Sequence, residues 1–231
     1  MRKNFFVYFL SFISLCLLAS CQIRNDITSQ VFKHSKKNKF SIIDNKNNQE
    51  KIISQDRPKF SSEDLSLEHG TWQNFSNLDP LNRVGEANAM LNKSMMPTKE
   101  REPLYINPSG WKQKRMVNGE WLYNRCHLIG FQLTGENNNP KNLMTGTRSF
   151  NTPGMEEYEN QIAEYLRKTG NHVRYRVTPD FRGNELVARG IQLEAQSIED
   201  NQLSFNVYIK NQQEGYKIDY LTGKSISKQN V

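Results

Sequence analysis

A chain of 231 residues and 26.9 kDa has the length of one ordinary domain. Only 36% of its residues are hydrophobic and its mean hydropathy is −0.76, which excludes a polytopic membrane protein and leaves part of the chain without a core to join. The formal charge of +7 raises nucleic acid or anionic lipid as a partner, although a basic surface also serves solubility alone.

The apolar surplus sits at the N-terminus. Arg2 and Lys3 precede an uncharged run from Phe5 to Leu18, and Ala19-Ser20-Cys21 follows. This is the pattern of a secretory signal, too short for a comfortable transmembrane helix. Leu18-Ala19-Ser20-Cys21 resembles a bacterial lipobox, which implies a signal over 1–20, cleavage before Cys21 and a lipid on its thiol. Plain secretion, with Cys21 incidental, is the alternative. A diacylglyceryl group, at roughly 0.8 kcal/mol per buried CH₂, would hold the mature chain to a membrane. Loss of Arg2 and Lys3 leaves 29 basic against 24 acidic side chains, a charge of +5. With Cys16 removed and Cys21 lipidated, only Cys126 remains, so no intrachain disulfide forms in the mature protein. CxxC and HExxH patterns are absent, which argues against a structural zinc or a zincin site.

Residues 22 to about 60 are rich in Lys, Asn, Gln, Ser and Asp and read as a disordered tether. The globular domain is expected over 63–224, with a tail over 225–231. Leu81, Val84, Ala87, Met90 and Leu91 recur mostly at spacings of three and four, which predicts an amphipathic helix between Pro80 and Met95. Pro103 to Glu120 reads as loop, Trp121 to Leu133 as strand, and the Asn-rich stretch Gly135 to Asn142 as loop. Thr152-Pro153 is a helix start and Gly170 its stop, with Met155, Tyr158, Ile162, Tyr165 and Leu166 on one face. Strands are expected over His172–Val177, over Glu185–Ile198 with a bulge at Gly190, and over Leu203–Lys210. The fold class is therefore α+β with a mainly antiparallel sheet.

Few residues are placed to do chemistry. The chain has no G-x-S-x-G or G-x-G-x-x-G, and Thr222-Gly223-Lys224-Ser225 lacks the first glycine of a phosphate loop, so it reads as a turn. Of four histidines, only His127 stands in suggestive company. It lies in Tyr123-Asn124-Arg125-Cys126-His127-Leu128, followed by the amide-rich Asn137-Asn138-Asn139-Pro140-Lys141-Asn142-Leu143 and then by Asn151 at the entrance of a helix bearing Glu156, Glu157 and Glu159.

Asn124-Arg125-Cys126-His127-Leu128, Asn139-Pro140-Lys141-Asn142-Leu143 and Asn151 together resemble the signature of the DNA/RNA non-specific endonuclease family, nearest its streptodornase and DNA-entry nuclease branch. The similarity runs from about Asn77 to about Tyr220, with separate motifs in the right order. It implies a ββα-metal core in which the histidine ends a strand and a metal-ligating asparagine opens the crossing helix. Two departures from the family's Asp-Arg-Gly-His motif, Asn124 for the acid and Cys126 for the glycine, put the local backbone in question. The resemblance implies Mg²⁺, with Mn²⁺ as the alternative, and DNA or RNA as substrate.

Those roles agree with the residue types. Cleaving a phosphodiester needs an activated water and neutralised phosphate oxygens. An imidazole with an ordinary pKa of about 6.5 suits the first task at His127, beside Arg125. Asn151 offers a hard oxygen to the metal. Glu159, eight residues on, is expected to hold a metal-bound water, although Glu156 or Glu157 could substitute. Asn142 either orients the site or caps an Asx turn after Pro140. Arg125 and Arg148 are either phosphate contacts or structural or surface cations, and Lys141 is an expected nucleic-acid contact. His172, Arg174 and Arg176 alternate with apolar residues, so one strand face is basic; it either tracks a nucleic-acid backbone or is a solvated face. Cys126 reads as packing rather than as a nucleophile. A DNA-binding surface lipoprotein that uses the same fold without cutting is the alternative function.

Overall fold

Runs of β-branched and aromatic residues dominate the second half of the chain, and in the computed structural model, which describes residues 49–228, they pair with one earlier strand at each edge and another inside. The signal, Cys21 and most of the tether lie outside the described residues. Six strands form an antiparallel sheet: β1 (Glu50–Ile52), β2 (Trp72–Phe75), β3 (Ala87–Leu91), β6 (Val173–Pro179), β7 (Gly190–Ser197) and β8 (Ser204–Lys210), in the order β1-β8-β7-β6-β3-β2. A separate antiparallel hairpin joins β4 (Tyr123–His127) to β5 (Leu143–Thr147), and a second joins β9 (Tyr216–Ile218) to β10 (Ser225–Ser227). Helix α1 (Phe131–Thr134) follows β4, and α2 (Glu156–Thr169) follows β5. The class is α+β, as expected.

Register decides which residues share a face, because side chains alternate along a strand. Val173, Tyr175 and Val177 pair across to Ser197, Ala195 and Leu193, and on to Phe205 and Val207, making one continuous buried apolar face. Helix α2 covers it with Tyr158, Ile162, Tyr165 and Leu166, and the Tyr158 ring lies 4.8 Å from that of Phe205. Three glutamates in the first turn of α2, Arg167 and Lys168 in its last, and Gly170 in the left-handed conformation at its end favour the helix at both termini. The buried Asn211 anchors the β4–β5 hairpin to the large sheet. Its Nδ2 donates to Thr145 O and Ala188 O, and its Oδ1 accepts from Thr147 N.

The opposite face of the sheet overturns two expectations. Residues 53–64 are not free tether but cover this face: Lys59 N donates to Glu194 Oε1, and Asn206 Nδ2 to Arg57 O. The basic face of β6 lies underneath. Arg174 is 3% exposed; it pairs with Asp64, donates to Asn88 Oδ1, and stacks on Phe60 and Trp72 at 5.0 and 4.9 Å. Arg176 pairs with Glu194 and lies over Phe60, and His172 pairs with Glu199. Arg176 therefore neutralises the buried Glu194, Arg174 pairs with the partly exposed Asp64, and neither guanidinium forms an open basic face. The alternation was real, but it faced a second protein layer instead of solvent.

The amphipathic helix over Pro80–Met95 is also absent. Asp79 Oδ1 accepts from Leu81 N and Arg83 N, closing a turn, and Ala87–Leu91 then extends as β3 between β2 and β6. Burial on both sides of this inner strand produced the apolar spacing that mimicked a helix. Three smaller differences follow. β4 stops at His127, and α1 takes up Phe131–Thr134. Helix α2 begins at Glu156, after a wide turn over Phe150–Met155 in which Thr152 is extended. β7 begins at Gly190, where the register Gly190↔Lys210 runs unbroken, so there is no bulge. The expected tail contributes β10, and Thr222-Gly223-Lys224 is the turn leading into it.

Candidate active site

β4, α1 and the start of α2 enclose a cavity of about 860 Å³ whose lining includes Arg101, Trp121, Arg125, His127, Asn151 and Glu159. His127 stands at the end of β4, with Leu143 opposite it on β5. It is 6% exposed. Its Nε2 lies 2.8 Å from the backbone carbonyl of Asn137, which can only accept, so Nε2 carries the proton and Nδ1 keeps its lone pair. Arg101 Nη2 lies 3.4 Å from that Nδ1. Burial first, and the Arg101 charge second, push the His127 pKa down to about 4 against the Asn137 hydrogen bond, which raises it. The ring is neutral near pH 7.

Asn142 holds the turn beyond His127. It is fully buried; its Oδ1 accepts from Ile129 N at 2.9 Å, its Nδ2 donates to Ile129 O at 3.0 Å, and its backbone carbonyl accepts from Leu128 N. It lies outside the cavity lining, and the Asx turn after Pro140 belongs to Asn139, which accepts from Lys141 N. Gly130, at the end of this turn, faces Glu159. A Cβ on Gly130 would stand 2.5 Å from the Glu159 Cδ, so glycine here is what lets the carboxylate sit against the backbone and accept from Gly130 N. Burial and then the charge of Glu156 push the Glu159 pKa up to about 8. Glu156, one turn earlier on α2, also lines the cavity, whereas Glu157 does not. Asn151 lines it from the wide turn before α2, with its Nδ2 donating to Thr152 Oγ1.

Arg125 lines the same cavity. Its Nε and Nη2 donate to Ile106 O and Asn107 Oδ1, each at 2.7 Å, and its guanidinium lies 4.6 Å from the centre of the Trp111 ring. Arg148 and Lys141 are outside the lining: Arg148 pairs with Glu120, and Lys141 Nζ donates to Asn77 Oδ1. Cys126 is buried, with its thiol pKa pushed up by burial, and the facing Gly146 leaves room for its sulfur. Cysteine in place of the motif's glycine is thus matched by a glycine on the paired strand. Arg101 is the residue that sequence reasoning missed. It lies in an irregular loop 26 residues before His127, and no spacing rule joins the two. Asn137 and Asn138 bring it in, donating through their side chains to Glu102 O and Pro103 O.

The family model for DNA/RNA non-specific endonucleases matches residues 65–199, which include every residue of this cavity. The chain belongs to that family. It is 30% identical over 107 residues to a deoxyribonuclease of Streptococcus dysgalactiae subsp. equisimilis, a match covering 44% of this chain and 32% of that protein. The chain thus spans about a third of the curated relative it matches. NucA from Streptococcus agalactiae, solved with magnesium bound, superposes with a TM-score of 0.68 at 26% identity, over 76% of this chain and 87% of NucA. The Sda1 nuclease, solved with bound zinc, gives 0.60 at 26% identity, over 68% and 80% of the two chains.

Proposed function

We propose that this family member is a secreted, metal-dependent, sequence-non-specific endonuclease that hydrolyses DNA, and RNA as the second polymer a backbone-reading site admits, to products with 5′-phosphates. The observation that carries the reading is the tautomer of His127, whose unprotonated Nδ1 stands beside Arg101 in a ring that lines one cavity with Asn151 and Glu159.

The donor set fits a hard cation. Asn151 offers an amide oxygen and Glu159 a carboxyl group, which a bound cation would hold ionised against its raised pKa. These two residues would hold Mg²⁺, or Mn²⁺ in its place. When bound, the ion neutralises charge on the scissile phosphate and on the departing 3′ oxygen. His127 Nδ1 takes the proton of the attacking water as its oxygen bonds to phosphorus and the bond to the 3′ oxygen breaks. Asn137 O holds the imidazole through that transfer. The low pKa makes His127 a weak base in the free protein, and the bound phosphate supplies the negative charge that raises it. Arg101 sets a cation beside His127 in the same cavity. The lipid anchor at Cys21 keeps the enzyme at the cell surface.

Plasmid cleavage by the mature protein, with Mg²⁺, with Mn²⁺ and with EDTA, alongside His127→Ala, tests this reading. Metal-dependent nicking that leaves 5′-phosphates and disappears in the variant is expected. Products ending in 3′-phosphate would refute the scheme, and binding without cutting under every metal condition would identify a DNA-binding lipoprotein instead.

A further inference from the structure

The far wall of the cavity is built unlike its catalytic end. Trp121 lines it and is 45% exposed, although the Arg115 guanidinium lies 3.7 Å from the centre of its ring. The indole therefore carries a cation on one side and keeps nearly half of its surface exposed at the cavity wall. Beside it, Arg125 lies over Trp111, whose ring packs into the small core of Met116, Leu122, Tyr123 and Ile218. Both guanidinium groups are anchored by hydrogen bonds. Arg115 donates to Gly119 O, and Arg125 uses Nε and Nη2 on Ile106 O and Asn107 Oδ1. A wall meant for phosphate would project N–H donors, whereas this one presents an indole face and a guanidinium plane. Those surfaces suit a flat, electron-rich ring.

We propose that Trp121, with Arg125 over Trp111, forms a stacking subsite for unpaired nucleobases, so that the preferred substrate is single-stranded or locally opened nucleic acid. This rests on the nuclease reading above. In a duplex the base faces are already stacked on each other and cannot meet this wall, whereas an unpaired strand presents them. Trp121 lies two residues before β4, and it lines the same cavity as Arg125 and His127 on that strand. A strand whose scissile phosphate is at His127 therefore carries neighbouring bases towards Trp121. Stacking tolerates any base, which agrees with a cut that ignores sequence.

The test is cleavage by the mature protein of three substrates of equal length: a single-stranded oligonucleotide, its duplex, and a single strand with abasic sites near the cut. The readout is the ratio of kcat/KM between single strand and duplex, in which a general loss of fold cancels. The wild type favours the single strand, and abasic sites reduce its cleavage about tenfold through KM. In Trp121→Ala the ratio falls about tenfold and abasic sites cost nothing further, while Trp121→Phe restores most of it. A ratio unchanged in Trp121→Ala, or an abasic strand cut as well as the intact one, overturns the proposal. Should the protein cut nothing, the nuclease reading fails, and tryptophan fluorescence in EDTA still decides the subsite. Quenching by the intact strand that the abasic strand does not produce supports stacking, and equal responses refute it.

Discussion

Acidification acts on His127 through the unfolded state. In the folded protein its pKa is pushed down to about 4, whereas in the unfolded chain it returns to about 6.5. Between these values the unfolded chain binds a proton that the folded one refuses, so stability falls as pH drops through 6.5 and levels off below 4. From pH 7.5 to pH 4 the difference amounts to about 3 kcal/mol at about 1.4 kcal/mol per unit. The ring is only 6% exposed, so solvent screening removes little of this. Urea unfolding of the wild type and of His127→Gln, measured between pH 7.5 and 4, isolates the contribution. Glutamine can still donate to Asn137 O but does not titrate. The wild type should lose about 3 kcal/mol more than the variant over this range. Equal losses would show that the ring titrates normally, which would refute the account of its burial.

Further consequences concern the residues around it. Gly130→Ala drives a methyl into the Glu159 carboxylate and should weaken Mg²⁺ binding about 10–100-fold by calorimetry, with a two-state thermal transition retained. Arg174→Ala removes a buried guanidinium from Asn88, Phe60, Trp72 and the partly exposed Asp64 and should cost about 1–3 kcal/mol in urea unfolding, while the salt dependence of DNA binding stays that of the wild type; a shallower salt slope would return Arg174 to the nucleic-acid surface. Asn142→Ala leaves Ile129 N and Ile129 O without their side-chain partners and should lower both melting temperature and kcat. Cys21→Ser should release the protein from the membrane fraction into the medium with its cleavage activity intact; unchanged partitioning would refute the anchor.

Much of the site was legible because its parts are local in sequence. The motif ending at His127, the amide-rich loop and Asn151 with Glu159 eight residues on lie within one ββα stretch, where short connections hold spacing and geometry together. The same locality made α2 readable, since its apolar face, acidic first turn and terminal Gly170 are properties of a single segment. Elements whose identity depends on distant partners were not legible. β3 resembled a helix until β2 and β6 were placed on either side of it, and the basic stripe on β6 resembled an open surface until residues 53–64 covered it. Arg101 reaches His127 only because the side chains of Asn137 and Asn138 hold its loop against the hairpin. The sequence by itself determined the class and the family, because these are written in types and short spacings. Which tautomer His127 adopts, which glutamates line the cavity and which arginines meet solvent were decided by burial and by hydrogen bonds between segments far apart in the chain, and those exist only in the tertiary structure.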